Sequence, residues 1–124
     1  MDLYREQILE HWRSPQNFGK MAGATVIVEQ VNPLCGDEVT FFFKISDKRQ
    51  ATSVVIEDVS FVGSGCAISI ASASILSEAI KGKPASVLSK ITGEDVFKLI
   101  GGPVAPARLK CAFLALEAVR KLKI

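Results

Sequence analysis

Three cysteines and one aspartate are the residues of this chain best suited to chemistry: Cys35, Asp37, Cys66 and Cys111. Cys35 lies in Asn32-Pro33-Leu34-Cys35-Gly36-Asp37, which reads as a tight turn in which Gly36 supplies left-handed backbone angles. Asp37 follows two positions later, so the two side chains can face one point. Cys66 comes directly after Gly63-Ser64-Gly65 and opens a helical run, where free amide groups and the helix dipole favour a thiolate. Cys111 lies in the first half of the last helical segment. Arg108 and Lys110 precede it, and their charge is expected to favour its thiolate too. Three thiolates and a carboxylate make a tetrahedral site for zinc, or an incomplete shell for an iron–sulfur unit. Thiolates are soft and anionic and suit such iron, whereas a carboxylate is a harder, weaker partner that makes a cluster more labile. The chain has no CxxC pair, so zinc-finger and thioredoxin-type spacings do not apply. Cysteine is also among the most often buried residues, and spacing alone leaves open three packing cysteines.

The elements that must position these residues follow from periodicity. Asp2 to Trp12 places Leu3, Ile8, Leu9 and Trp12 at helical spacing, and Ser14-Pro15 ends the run because the residue before proline leaves the helical region. Three strands are predicted over Thr25–Val31, Val39–Ile45 and Ser53–Val62, rich in β-branched and aromatic residues. In Phe41-Phe42-Phe43, Phe42 should face the opposite side from its neighbours. The connections are short enough for hairpins, so the sheet should be antiparallel. Helices are predicted over Cys66–Lys81, Pro84–Lys90, Thr92–Ile100 and Pro106–Leu122, with Gly82 and Gly101-Gly102-Pro103 as breaks. The first of these is apolar on most faces and should be buried. Strands followed by helices argue for one α+β domain over residues 1–124, a three-stranded antiparallel sheet packed in two layers against about four to five helices.

Composition narrows the function classes. The chain has 124 residues, 48% of them hydrophobic, enough to bury a core without disulfides. An odd number of cysteines fits poorly with a closed disulfide framework. The net charge of +2 comes from 15 basic and 13 acidic residues with no basic block, so nothing points to nucleic acid. The most apolar stretch, Cys66 to Leu76, is too short for a membrane span, and the charged start MDLYREQILEHWRSP lacks a signal region. These readings imply a cytoplasmic protein without membrane partners. His11, the single histidine, is expected to play a surface or capping role rather than to bind metal.

At the cysteine motifs the sequence resembles the U-type iron–sulfur cluster scaffold family, which includes IscU, SufU and the N-terminal domain of NifU. The likeness runs from Tyr4–Trp12 and Ser14-Pro15-Gln16-Asn17, through Asn32–Asp37 and Gly63-Ser64-Gly65-Cys66-Ala67-Ile68-Ser69, to Arg108-Leu109-Lys110-Cys111-Ala112. The resemblance implies that the cysteines and Asp37 converge at one exposed end. It implies a scaffold that takes sulfur from a cysteine desulfurase and combines it with iron. An electron-donor or iron-donor protein would assist, and a [2Fe–2S] cluster would pass to a carrier or apo-protein. Either Cys111 or Cys35 would accept the sulfur, and the protein would be a monomer or homodimer. Under this reading the protein is a scaffold rather than an enzyme.

Two departures point to an alternative. The IscU branch carries histidine just before the third cysteine, where this chain has Lys110, a cation with no lone pair for a metal. Asp37 thus becomes the fourth ligand. Arg108-x-Lys110-Cys111 instead resembles the SufU branch, zinc-dependent sulfurtransferases that activate their desulfurase. That branch has a sizeable insertion between the second and third cysteines that is absent here. Arg108 and Lys110 are expected to act on the site by pairing with Asp37 or a thiolate, with Lys110 gating Asp37. Val104-Ala105-Pro106-Ala107-Arg108 lacks the Leu-Pro-Pro-Val-Lys sequence recognised by a dedicated Hsp70-type chaperone.

Overall fold

Strand alternation at Phe41-Phe42-Phe43 anchors the architecture. Phe41 and Phe43 point to one face of the sheet and are fully buried, while Phe42 takes the other face. Phe61 of the neighbouring strand stacks on Phe41 with ring centroids 5.6 Å apart. The structure, a computed structural model, describes residues 3–32, 36–46, 54–102 and 104–122. Within these, helix α1 (Leu3–Arg13) precedes strands β1 (Val26–Asn32), β2 (Asp37–Ile45) and β3 (Ile56–Ser64). Helices α2 (Ala67–Ile80), α3 (Gly93–Ile100) and α4 (Leu109–Arg120) follow. The strands form one antiparallel sheet in the order β1-β2-β3, joined as consecutive neighbours. The α+β class, the sheet and its topology are as the sequence predicts.

Local chemistry explains the boundaries. The predicted helix at Pro84–Lys90 is a 3-10 turn over Ala85–Ser89, and another 3-10 turn, Pro106–Arg108, precedes α4. In both cases a proline stands at the entry, where its fixed φ suits a tight turn. Helix α3 begins at a capping box: Thr92 Oγ1 accepts from Asp95 N–H and the Asp95 carboxylate accepts from Thr92 N–H. The sheet edge at β3 is covered by Asn17–Gly19, whose backbone exchanges hydrogen bonds with Phe61 in both directions, at 2.8 and 3.0 Å.

Helix α2 is the hub. It packs against α1, α4, α3 and β3, and ten of its residues are buried. A helix enclosed on so many sides has no wide polar face, which is why its sequence is apolar nearly all round. Its four buried serines, Ser69, Ser72, Ser74 and Ser77, therefore stand out. No helix among the described residues is long and apolar enough to cross a membrane.

Candidate metal centre

Antiparallel pairing assembles the site. Asn32, the last residue of β1, lies opposite Asp37, the first of β2. The start of β2 also lies beside the end of β3, with Glu38 opposite Ser64. Asp37 and the Gly65-Cys66 segment are thus brought side by side from positions far apart in the chain. Gly36 turns the chain into β2 with φ +75°, as the sequence predicts. Helix α4 packs across β1, β2 and α2 and delivers Cys111 in its first turn.

The result is a cluster in which the Asp37 carboxylate and the Cys66 and Cys111 sulfurs all lie within 4.8 Å of one another. Donor atoms around a tetrahedral zinc lie roughly 3.3–3.8 Å apart, so the three groups are near enough to meet one cation with small shifts. Asp37 and Cys111 are each only 4% exposed, whereas Cys66 is partly exposed. Two soft sulfur donors and one anionic oxygen fit zinc or iron. Cys35 lies outside the described residues. His11 is not part of this cluster. Its Nδ1 lies 2.7 Å from Ser74 Oγ and its Nε2 lies 3.7 Å from the Glu78 carboxylate, so it links α1 to α2 rather than capping a helix or facing solvent freely.

Asp37 is gripped by the start of α2. Its Oδ1 accepts the Cys66 N–H at 3.3 Å, and its Oδ2 accepts the Ser69 hydroxyl at 2.5 Å. Cys66 occupies the position that caps α2, but no side chain from within the helix caps it. The carboxylate of a distant strand takes that place, favourable also for the helix dipole. Gly65 closes the remaining side. Its φ is +151°, and a Cβ there would stand 2.5 Å from Asp37 Oδ1 and 2.6 Å from Cγ. Glycine is therefore required both by the backbone angle and by the closeness of the carboxylate.

Cys111 corrects an expectation. Arg108 and Lys110 should favour its thiolate, yet its pKa is pushed from an ordinary 9.0 up to about 12. Burial is the main cause, reinforced by hydrogen bonds to Cys66 and Asp37 and by their charge. Both cations are exposed, and neither makes an ion pair with a described residue. Their charge is spent in water, where it does little for a buried sulfur. Lys110 lines a cleft of about 190 Å³ between β1 and α4, together with Gln30, Asn32 and Glu117. Among the described residues no ion pair joins Lys110 or Arg108 to Asp37. Gly65, which makes room for Asp37, and Ser69, which bonds it, are not among the site residues expected from sequence. Ser69 was legible in principle, three residues after Cys66 and so on the same helix face.

A sequence profile described as the NifU-like N-terminal domain matches residues 3–122. The chain belongs to this family. It is 36% identical over 116 residues to the iron–sulfur cluster assembly scaffold protein IscU of Aquifex aeolicus, covering 94% of this chain and 71% of that one. It is 35% identical over 136 aligned positions to the zinc-dependent sulfurtransferase SufU of Bacillus subtilis, covering 96% of this chain and 88% of that one. The second alignment is longer than this chain, so the Bacillus relative carries residues with no counterpart here. Among solved structures, FiSufU of Fervidobacterium islandicum has a similar fold, with TM-score 0.72 at 27% identity over 94% of this chain and 93% of that one. The U-type scaffold family inferred from the cysteine motifs is thus the family found.

Proposed function

We propose that this protein is a scaffold on which an iron–sulfur cluster is assembled and from which it is released. The observation that carries the reading is the convergence of Asp37, Cys66 and Cys111 within 4.8 Å, in a chain of this family. Cys35 is the fourth ligand in the proposal, and the cargo is a [2Fe–2S] cluster. Its iron is held by soft thiolates, and Asp37 is the weak point at which it loosens. The whole of residues 1–124 acts as one domain in the cytoplasm, as a monomer or homodimer. Its partners are a cysteine desulfurase, an electron or iron donor, and an apo-protein or carrier.

Sulfur enters as the outer sulfur of a desulfurase persulfide. A thiolate of this chain attacks that atom, a new S–S bond forms, and the desulfurase thiolate leaves. Cys111 or Cys35 is the acceptor. Cys111 is 4% exposed and held as a thiol, so it must be uncovered and deprotonated before it can attack.

A second reading, a zinc-dependent sulfurtransferase that activates a desulfurase, is favoured by Lys110, which stands where a histidine ligand would be needed, and by the likeness to the Bacillus relative. The unmatched residues of that relative weigh toward the scaffold. Anaerobic reconstitution with iron, cysteine and a desulfurase separates the two. A cluster that transfers to an apo-ferredoxin supports the scaffold. Faster desulfurase turnover with tightly held zinc and no cluster supports the sulfurtransferase. Neither result would leave a metal-stabilised binding module. Asp37→Ala should slow cluster release, and unchanged release would remove the labile role of the carboxylate.

A further inference from the structure

Ser69 is placed on the first turn of α2 and is 4% exposed, yet its hydroxyl donates to a group outside its own helix. A buried helical serine ordinarily returns its proton to the carbonyl one turn back. Ser69 instead reaches a carboxylate 32 residues away in sequence, at 2.5 Å from Asp37 Oδ2, while its oxygen lies 3.4 Å from Cys66 Sγ. A hydroxyl has a single proton. The short contact to an anionic oxygen is in the charge-assisted range, so that proton goes to Asp37 and a lone pair faces the sulfur. Ser69 therefore touches two of the three converging groups at once.

We propose that Ser69 is the positioning residue of the metal centre: its hydroxyl, with the Cys66 N–H, fixes the direction in which the Asp37 carboxylate can meet a metal. The inference rests on the reading of Asp37, Cys66 and Cys111 as ligands. An ionised carboxylate has about four acceptor sites. Asp37 can therefore keep the Ser69 and Cys66 hydrogen bonds and turn to a cation the lone pair that the Cys111 thiol otherwise occupies. Gly65 packs so close to the carboxylate that a Cβ there would stand 2.5 Å from Oδ1, which narrows the ways the carboxylate can lie. Fixing it in advance removes the ordering cost from metal binding, and such outer partners are worth roughly 10- to 100-fold in affinity.

The test uses zinc affinity by chelator competition and the visible ligand-field bands of bound cobalt(II). It compares the full-length protein with Asp37→Ala, Ser69→Ala and the double variant. Each single variant should bind zinc about 10- to 100-fold more weakly and alter the cobalt bands. The double variant should match Asp37→Ala within about twofold, because Ser69 acts through Asp37. A Ser69→Ala protein with wild-type affinity overturns the proposal. So does a Ser69→Ala loss that persists in full when Asp37 is already absent. The pair Ser69→Thr and Ser69→Val controls for packing, since the two side chains have the same shape and only threonine keeps the hydroxyl. Threonine should retain near-wild-type affinity and valine should fall to the Asp37→Ala level; equal affinities sink the idea. If Asp37→Ala itself changes neither affinity nor bands, Asp37 is no ligand, and the reading beneath the proposal fails together with it.

Discussion

Helix α2 carries buried serines toward both ends, and the two ends do opposite things. Toward its C-terminal end, Ser74 Oγ accepts the Gln16 N–H at 2.7 Å and meets His11 Nδ1 at 2.7 Å. Ser77 Oγ accepts from the Asn17 side chain at 3.0 Å and donates to Ser74 O at 2.6 Å. Hydroxyls, amides and a ring nitrogen satisfy one another, and the seam between α1 and α2 is closed. At the N-terminal end, about 8 Å from Ser74 and about 12 Å from Ser77 by helical rise, Ser69 serves a carboxylate that lies against two sulfurs. There the helix collects groups that bind a cation when deprotonated. The same residue type in the same helix seals one junction and prepares the other for a ligand. The deciding difference is what the rest of the fold brings to each serine: amide and imidazole at one end, carboxylate and thiols at the other. A buried polar group costs little when partnered, so α2 tolerates both.

The comparison can be broken most directly at Cys111. In the metal-free protein its alkylation at pH 8 should be about a thousandfold slower than that of an ordinary thiol, from the smaller thiolate fraction. The rate should keep rising as pH climbs toward 12 rather than level off near 9. Mass spectrometry of the modified peptide assigns the site. The sign for stability follows. A thiol pKa raised on folding means that the native state holds its proton more tightly. The stability this lends is complete below about 9 and is lost as pH rises to about 12. A plateau near 9 would mean that the site end is as relaxed as open solvent.

Next in size, Cys111→Ala removes one anionic ligand and should lower zinc affinity by about a hundredfold or more. The far seam should be untouched, so hydrogen exchange of α1 should be unchanged. Gly65→Ala should follow with a loss of roughly tenfold in zinc affinity, because its methyl displaces Asp37, and roughly 1–3 kcal/mol in stability from the strained backbone angle. Smallest in its effect on metal, Ser74→Ala leaves Gln16 N–H and His11 short of a partner. It should cost about 1–3 kcal/mol by urea unfolding with zinc affinity unchanged. If Ser74→Ala weakened zinc binding as much as Gly65→Ala, the two ends of α2 would be one coupled unit rather than two separate junctions.

Much of this protein was legible in its residues taken in order. Phe41-Phe42-Phe43 shows its strand by alternation, and Thr92 with Asp95 signals a helix start, because both depend on neighbours within a few positions. The cysteine motifs likewise carried the family, and with it the expectation that Cys66, Cys111 and Asp37 meet. What no local pattern contains is the environment of each group. Arg108 and Lys110 are adjacent to Cys111 in sequence, and that adjacency predicted a thiolate. The fold sends both cations to solvent and the sulfur into the interior, and desolvation wins because water screens the charges but scarcely reaches the thiol. His11 read as a surface residue and is a tie between helices for the same reason. Ser69 and Gly65 acquire their roles only from Asp37, which reaches them across the sheet. Sequence fixes which groups a chain possesses and its short-range geometry; burial and long-range partners are properties of the packed whole, and they decide what those groups do.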